Sequence, residues 1–244
     1  MSQEPRLNEL DQPIGAPVEG WSGARLPDNT PLQGRYCRLE KLAVDLHSDQ
    51  LFDALAADQS GALWTYLSEE PPESRAVFRS WMDRAVSTVD PFFYAVIERA
   101  TGKALGRAAL MRIAPAAGSI EVGSILFSPR LQRTPVATEA MFLMMQHAFD
   151  HLGYRRYEWK CDSLNEPSRR AAERFGFSYE GTFRQALVYK GRSRDTAWFS
   201  IVDGDWPAFR RGYERWFDPA NFDENGRQKQ TLASFIGGER QLAG

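Results

Sequence analysis

The sequence predicts an α/β protein with a mixed, mostly antiparallel sheet, one parallel βαβ crossover and helices on both faces. Two observations predict this fold class. Three strand-like runs at 92–98, 104–113 and 119–127 follow one another across short turns, which are typical of antiparallel neighbours. A long apolar helix then leads to a fourth strand, and a strand–helix–strand connection is right-handed with its two strands parallel.

The segments before this sheet are shorter. Residues 1–34 are rich in proline and glycine and predict an extended arm that lies over the domain through Trp21 and Leu26. The spacing of apolar residues then predicts one strand and two helices. These elements are expected at 35–42, at 45–57 and from Pro71-Pro72 to about Val86.

The stretch from Glu121 to Phe149 carries the most local information. Its apolar strand is closed by Ser128-Pro129, and Thr134-Pro135 then has the pattern of a helix N-cap followed by the first helical residue. The free N–H groups and the positive end of the helix dipole would face back across the end of the strand. This corner is therefore predicted to bind an anion.

The rest of the chain continues the alternation of helices and strands. The long helix is expected to end near His151, with Gly153 as its left-handed cap. The elements expected after it are strand 154–161, helix 165–175, strands 178–189 and 194–202, and helix 206–216. The residues after Asp218 predict a mobile tail. One domain at 35–217 is thus expected between the arm 1–34 and the tail 218–244.

Composition and charge argue against several classes of protein. The 244 residues are 43% hydrophobic, enough for one substantial core, and the net charge of −2 favours neither nucleic acid nor an anionic membrane. Cys37 and Cys161 are far apart without metal spacing, and no stretch of about 18 apolar residues occurs. We therefore expect a cytoplasmic protein without metal, nucleic acid or membrane as partners. The oligomeric state stays open, a homo-oligomer included.

A resemblance to a known family rests on the order strand, turn–helix, strand and on one motif. The motif is Asn165-Glu166-Pro167-Ser168, followed after seven residues by Gly176-Phe177. Together they resemble a GCN5-related N-acetyltransferase (GNAT) of the ribosomal-protein N-terminal acetyltransferase subtype, over about residues 35–205. The resemblance implies an acyl-coenzyme A N-acyltransferase that most often uses acetyl-coenzyme A. The acyl group would pass by direct attack to a primary amine of a small molecule or a protein N-terminus.

The resemblance also implies where the coenzyme lies. The parallel strands are expected to diverge at their C-terminal ends, where the backbone around Leu126 and Phe127 would pair with the pantetheine. Asn165 would contact the coenzyme, serve only as a helix N-cap, or do both. The pyrophosphate would lie on the following turn, with the contacts Gln132, Arg133, Thr134, Val136, Ala137 and Thr138.

The phosphate turn departs from the family pattern at one position. The family usually has a glycine where this chain has Pro135, and proline removes one backbone donor. The side chains of Arg133 and Thr134 are expected to compensate.

Catalytic residues follow from the chemistry that the resemblance implies. An amine that attacks a thioester must lose a proton, and Glu121 is the first candidate for the base. The alternative for Glu121 is a strand-edge charge that pairs with an arginine. The family's usual tyrosine acid is Ala172 here, and Ser168 occupies the serine position of the subtype. The departing thiolate would take its proton from water or from one of the nearby polar side chains, which are Ser168, Ser163, Asp162 and Tyr179.

The amine acceptor is the least determined part of the site. Trp64, Tyr66 and Tyr94 are expected to line its pocket, and Arg184 to meet a carboxylate. The alternative is that these aromatic residues belong to the core and that the arginine is solvated. Two other functions stay open: a transferase for another acyl group, such as succinyl from succinyl-coenzyme A, and a coenzyme-binding regulatory module with weak turnover.

Overall fold

An eight-stranded mixed sheet organises the chain in this computed structural model, which describes residues 6–243. Two short strands of the arm, β1 (Arg6–Leu7) and β2 (Pro13–Ile14), form a separate hairpin. The strands of the main sheet are β3 (Leu32–Gln33), β4 (Cys37–Lys41), β5 (Phe92–Glu98), β6 (Ala104–Ala114), β7 (Ser119–Phe127), β8 (Arg156–Asp162), β9 (Ser178–Tyr189) and β10 (Arg192–Val202).

Six α-helices accompany the sheet in the described part of the chain. They are α1 (Val44–Leu55), α2 (Arg75–Val86), α3 (Pro135–Gln146), α4 (Glu166–Arg174), α5 (Trp206–Trp216) and α6 (Leu232–Ala243). A π-helical turn, His147–His151, continues α3. Gly153 follows with a positive φ of 79°, which confirms the expected glycine end of this helix. Gly176, with a φ of 96°, follows α4 in the same way.

The strand order is β3-β4-β5-β6-β7-β8-β10-β9. Among the described residues every neighbouring pair is antiparallel except β7 and β8, which α3 connects. The predicted fold class, with an antiparallel meander before a single parallel crossover, is confirmed.

Two separate cores lie on opposite faces of the sheet, as strand β5 illustrates. Its side chains alternate, so that Tyr94 and Val96 enter a core shared with α3, α4, α5 and α6. Phe93 and Ile97 enter a second core with α1 and α2. Because both faces are covered, β5 is apolar from Phe92 to Ile97 rather than alternating. The predicted helices on both faces are thereby confirmed.

The arm crosses the surface of the domain, although its first five residues lie outside the described part. Trp21 donates its indole N–H to the carbonyl of Ala116 at 2.9 Å, and the N–H of Arg25 donates to Leu152 at 2.8 Å. Leu26, which was also expected to make contact, is 65% exposed. The arm is therefore held by Trp21 and by backbone bonds.

The prediction of a mobile tail after Asp218 is wrong for the described residues. Leu232 and Ile236 are buried and belong to the larger core. They are four residues apart, so they share one face of α6 and pack it against α5. Gly212 of α5 permits this close approach, since a Cβ there would lie 3.0 Å from the backbone of Ile236. No helix among residues 6–243 has the length and hydropathy to span a bilayer.

Candidate active site

A cleft opens where the two parallel strands separate. Strands β7 and β8 pair only over 119–122 and 156–159. Beyond this, β7 stays bonded to β6 as far as Phe127 and β8 stays bonded to β10 as far as Asp162. The resulting cleft has a volume of about 1390 Å³ and is lined by both free strand ends. The expected divergence of the strands is confirmed.

The N-terminus of α3 borders this cleft at the end of β7. Thr134 is the N-cap, and its Oγ1 accepts the N–H of Ala137 at 3.2 Å and donates to the carbonyl of Leu131 at 2.7 Å. Ala137 therefore does not offer a free donor, contrary to the prediction. The N–H groups of Arg133, Thr134 and Val136 have no acceptor within the described chain. Three donors thus remain for an anion.

Neighbouring side chains fix this turn. Gln132 donates its Nε2 to the carbonyl of Phe127 at 3.0 Å, which ties the turn to the end of β7. Arg133 has a positive φ of 60°. Thr138 is buried one turn into α3 and accepts a hydrogen bond from Arg174 at 3.2 Å. The side chains of Gln132 and Thr138 are therefore engaged within the protein, and that of Arg133 is exposed.

Helix α4 begins on the opposite side of the cleft. The Oδ1 of Asn165 accepts the N–H of Ser168 at 3.1 Å, so Asn165 is a helix N-cap, as one interpretation expected. The Oγ of Ser168 accepts the indole N–H of Trp159 at 3.0 Å. This bond occupies a lone pair of the hydroxyl oxygen. Burial raises the pKa of the neighbouring Cys161 thiol, which disfavours the nucleophilic thiolate.

Glu121 lines the cleft at the last paired part of β7 and is only 3% exposed. Its carboxylate lies 2.6 Å from Nη1 of Arg112, so the expected arginine pair is present. Lys160, which sequence analysis missed, lies 3.0 Å away on the other side. Burial raises the pKa of Glu121, and the two cations offset this only in part. Glu121 is therefore a buried, paired carboxylate that takes up a proton more readily than an exposed one.

The backbone of β7 is irregular where it borders the cleft. Ser124 has a φ of 49°, and the pairing with β6 shifts register between Gly123 and Leu126. Arg107, fully buried, donates to the carbonyl of Ser124 at 2.9 Å and pairs with Glu69 at 3.1 Å. Arg107 therefore holds the bulge in place by a hydrogen bond from a buried side chain. Leu126 and Phe127, just after the bulge, line the cleft.

Of the four residues expected to contact the acceptor, only Tyr66 lines the cleft, and its hydroxyl donates to Leu164 at 3.1 Å. The structure contradicts the other three. Trp64 and Tyr94 are buried in the two cores, and burial raises the pKa of Tyr94. Arg184 is exposed on β9 and is not among the lining residues. For the two buried aromatics and Arg184, the alternative of core and solvated residues is therefore correct.

A buried acid at the end of β8, Asp162, also lines the cleft. Asp162 accepts the Tyr189 hydroxyl at 2.8 Å and the N–H of Leu164 at 2.9 Å. Burial, and then the Asp162 carboxylate, raise the pKa of Tyr189 to about 12. The position of Asp162 directly after an apolar strand was a signal for it. Nothing in the sequence marks its partner on β9.

Metal ligands do not cluster in the described residues. No group of three or more histidine, cysteine, aspartate or glutamate side chains there has an arrangement that would hold a metal ion.

Comparison with known proteins agrees with this geometry. The family model described as an acetyltransferase (GNAT) domain matches residues 38–178. A crystal structure of a GCN5-related N-acetyltransferase from Brucella melitensis is 52% identical, and the alignment covers 90% of this chain and 100% of that one with a TM-score of 0.88.

Two more distant proteins are also similar. The uncharacterized N-acetyltransferase YnaD of Bacillus subtilis strain 168 is 26% identical over 86 residues, which are 35% of this chain and 50% of that protein. The chain thus matches about half the length of this relative. The ribosomal-protein alpha-N-acetyltransferase RimL in complex with coenzyme A is 17% identical, with a TM-score of 0.60 over 71% of this chain and 99% of that one, and shares the fold.

The family model covers more than half of the chain, and the Brucella protein is related along almost its whole length. The chain belongs to the GCN5-related N-acetyltransferase family.

Proposed function

We propose that this protein is an acyl-coenzyme A-dependent N-acetyltransferase that transfers the acyl group directly to a primary amine. The observation that carries the proposal is the cleft between β7 and β8, together with the free N–H groups of Arg133 and Thr134, which line it. The N–H of Val136 is also free, although Val136 itself is not among the lining residues. Converging N–H groups at a helix N-terminus suit a pyrophosphate. The exposed Arg133 side chain would add positive charge to the pyrophosphate contact. Pro135 removes only one backbone N–H donor from this turn.

The pantetheine would lie along the free end of β7. The free edge of β7 around Leu126 and Phe127 borders a gap that β8 leaves empty, and the bulge at Ser124 is fixed by Arg107. A peptide-like pantetheine can hydrogen-bond to such a strand edge. A backbone N–H in this rigid segment would polarise the thioester carbonyl. Asn165 would border the coenzyme while it also caps α4.

The reaction would begin with attack of the neutral amine nitrogen on the thioester carbon. Glu121 would take the proton of the amine directly or through water, and its raised pKa favours that role. The C–N bond forms and the C–S bond breaks, so the coenzyme leaves as a thiolate. Ser168, whose hydroxyl oxygen is held by Trp159, would donate a hydrogen bond to the departing sulfur, and the thiolate would then take its proton from water.

The acceptor would approach from the side of Tyr66 and Asp162. Glu69, Glu121 and Asp162 all line the cleft, so an amine that arrives as an ammonium ion meets carboxylates there. A small molecule and a protein N-terminus both satisfy this chemistry. We place the reaction in the cytoplasm, where a reducing environment keeps the two buried cysteines as free thiols.

One experiment separates the acyl donors and tests turnover. Release of free coenzyme A thiol is measured with acetyl- and succinyl-coenzyme A across a panel of amines, after calorimetry has established coenzyme binding. Faster release with acetyl-coenzyme A supports the proposal, and preference for succinyl-coenzyme A assigns another acyl group. Tight binding without release from either donor contradicts turnover and favours a regulatory module.

A further inference from the structure

Four of the arginines that line the cleft have no carboxylate partner in the described chain. Among the arginines that line the cleft, Arg112 and Arg170 pair with Glu121 and Glu166. Arg174 and Arg227 have no carboxylate within 4 Å in the described chain, as is also true of Arg133 on the turn itself and of Arg194 beside Tyr189. Uncompensated cations in a cleft favour an anionic ligand.

Arg174 is connected directly to the first turn of α3. Its Nη2 donates to Oγ1 of Thr138 at 3.2 Å, and its guanidinium lies 5.7 Å from the ring centre of Trp216. Trp216 in turn donates its indole N–H to Oε1 of Gln228 at 2.8 Å. These contacts lead without interruption from the phosphate turn to Gln228, the neighbour of Arg227. Arg174 and Arg227 therefore belong to the same wall of the cleft.

The segment that carries Arg227 has a defined conformation. Asn221 is buried, and its Nδ2 donates to the carbonyls of Trp216 at 3.1 Å and Gln230 at 3.2 Å. Its Oδ1 accepts the N–H of Gln230 at 2.9 Å, which closes a loop from 221 to 230. Within this loop the N–H of Arg227 donates to Asp223 at 2.8 Å. We call residues 218–230 the C-terminal wall.

The C-terminal wall lies outside the part of the chain that the family model matches, which ends at residue 178. It nevertheless borders the cleft through Phe222, Gly226, Arg227 and Gln228. This chain therefore adds a cationic element to a cleft whose phosphate turn belongs to the matched domain.

The chemistry of coenzyme A suggests the ligand of this element. Besides its pyrophosphate, the coenzyme carries a phosphate monoester on the 3′-oxygen of its ribose, which is close to a dianion at neutral pH. The three free N–H groups on the turn suit the pyrophosphate, and two guanidinium groups further along the wall match the remaining charge. We propose that Arg174 and Arg227 bind the ribose 3′-phosphate, so that the C-terminal wall selects coenzyme A over 3′-dephospho-coenzyme A. This inference rests on the proposed function.

The test is calorimetric titration of the full chain with coenzyme A and with 3′-dephospho-coenzyme A. The unchanged protein should bind coenzyme A at least about 10-fold more tightly than 3′-dephospho-coenzyme A, as expected for charged hydrogen bonds to the additional phosphate. Arg227→Ala should weaken coenzyme A binding by about 10-fold and leave 3′-dephospho-coenzyme A binding unchanged. Arg227→Lys should retain part of the preference, because a lysine keeps the charge and loses the bidentate geometry.

Arg210→Ala is the matched control, since Arg210 is an exposed arginine on α5 that pairs with Asp150 and Glu214 away from the cleft. It should change neither affinity. Arg227 is itself exposed, so its substitution should not disturb folding, and a thermal melt checks this. Equal affinity of the unchanged protein for both ligands overturns the inference. It is also overturned if Arg227→Ala leaves the affinity for coenzyme A unchanged or weakens the binding of both ligands by the same factor. Failure to bind either ligand overturns the proposed function instead.

Discussion

Lys160 reaches from β8 across the separating strands to Glu121 on β7, with 3.0 Å between Nζ and Oε2. Its ammonium also lies 2.7 Å from the carboxylate of Glu158, which stands opposite Glu121 in the parallel register. One cation thus serves two carboxylates, of which only Glu121 lines the cleft. This asymmetry provides a matched pair for testing the base.

Glu121→Gln should lower kcat by about 100-fold or more, as loss of a general base does, while coenzyme affinity changes little. Glu158→Gln removes the other carboxylate that pairs with Lys160, and Glu158 does not line the cleft. This variant should therefore lower kcat far less than Glu121→Gln does. Equal losses in the two variants would assign the effect to Lys160 or to packing. The measurement is release of free thiol with the best acceptor found.

The pH profile provides an independent test of Glu121. The base acts when deprotonated, so kcat/KM should fall as the pH drops through the raised pKa of Glu121, and Glu121→Gln should lack this fall.

The contribution of Glu121 to the free energy of unfolding should depend on pH in the opposite direction. Because the folded-state pKa lies above the unfolded value, the stabilising proton uptake is present at low pH and is lost as pH rises through the folded-state pKa. Urea titrations at several pH values, with and without the substitution, measure this loss.

Thr134→Ala should reduce the free energy of unfolding by about 1 kcal/mol, the usual cost of removing a helix N-cap. The variant loses the bonds to Ala137 and Leu131 that hold the phosphate turn. Coenzyme affinity should therefore fall as well. Thr134→Ser keeps the hydroxyl and should preserve both quantities, as measured by urea denaturation and calorimetry. A Thr134→Ala protein with unchanged coenzyme affinity would remove the turn from the binding site.

Glu139 joins α3 to the start of β4 by accepting three backbone N–H groups, from Arg35 at 2.8 Å, Tyr36 at 2.6 Å and Cys37 at 2.7 Å. Glu139→Gln should cost about 2–4 kcal/mol, because the amide carries no charge and turns an NH2 group toward these donors. Glu166→Gln, which breaks an exposed pair with Arg170, should cost less than about 0.5 kcal/mol. Urea denaturation compares the two, and similar costs would contradict the role of Glu139.

Two glycines distinguish packing from helix propensity in the C-terminal helices. Gly212→Ala should destabilise the protein by about 1–3 kcal/mol, since its Cβ would meet the backbone of Ile236, which cannot yield as a side chain does. Gly238→Ala lies within α6 with no atom within 4 Å of its Cβ and should stabilise by about 0.5–1 kcal/mol. Thermal unfolding gives both signs. Stabilisation by Gly212→Ala would show that α6 is not packed tightly against α5.

Most of the fold could be predicted because the strands carry strong local signals. Strands 92–98, 119–127 and 178–189 lie where the turns and apolar runs indicated. Helix α6 was missed because only two of its buried residues are apolar, Leu232 and Ile236, and two residues do not make a recognisable apolar face in the sequence. Its stability comes from packing on α5 rather than from its own residues.

The sequence predicted those parts of the candidate site that depend on residues close together in the chain. The N-cap at Thr134 depends on neighbouring residues, so its pattern is visible in the sequence. The pairing of Lys160 with Glu121 joins two strands. The alternation of apolar and polar residues within one strand does not indicate which residue of the neighbouring strand lies beside it. Tyr94 was misassigned for a related reason, since a strand buried on both faces gives no sign of which side faces a ligand.

The separation of β7 from β8 is maintained by bonds elsewhere. Each strand remains paired on its outer side, to β6 and to β10, so the gap cannot close without breaking a ladder of the sheet. The slot is consequently preorganised: the protein loses little conformational freedom when it is filled, and most of the entropic cost of association falls on the flexible ligand. The backbones of the free and occupied protein should then superpose closely, as in other preorganised complexes.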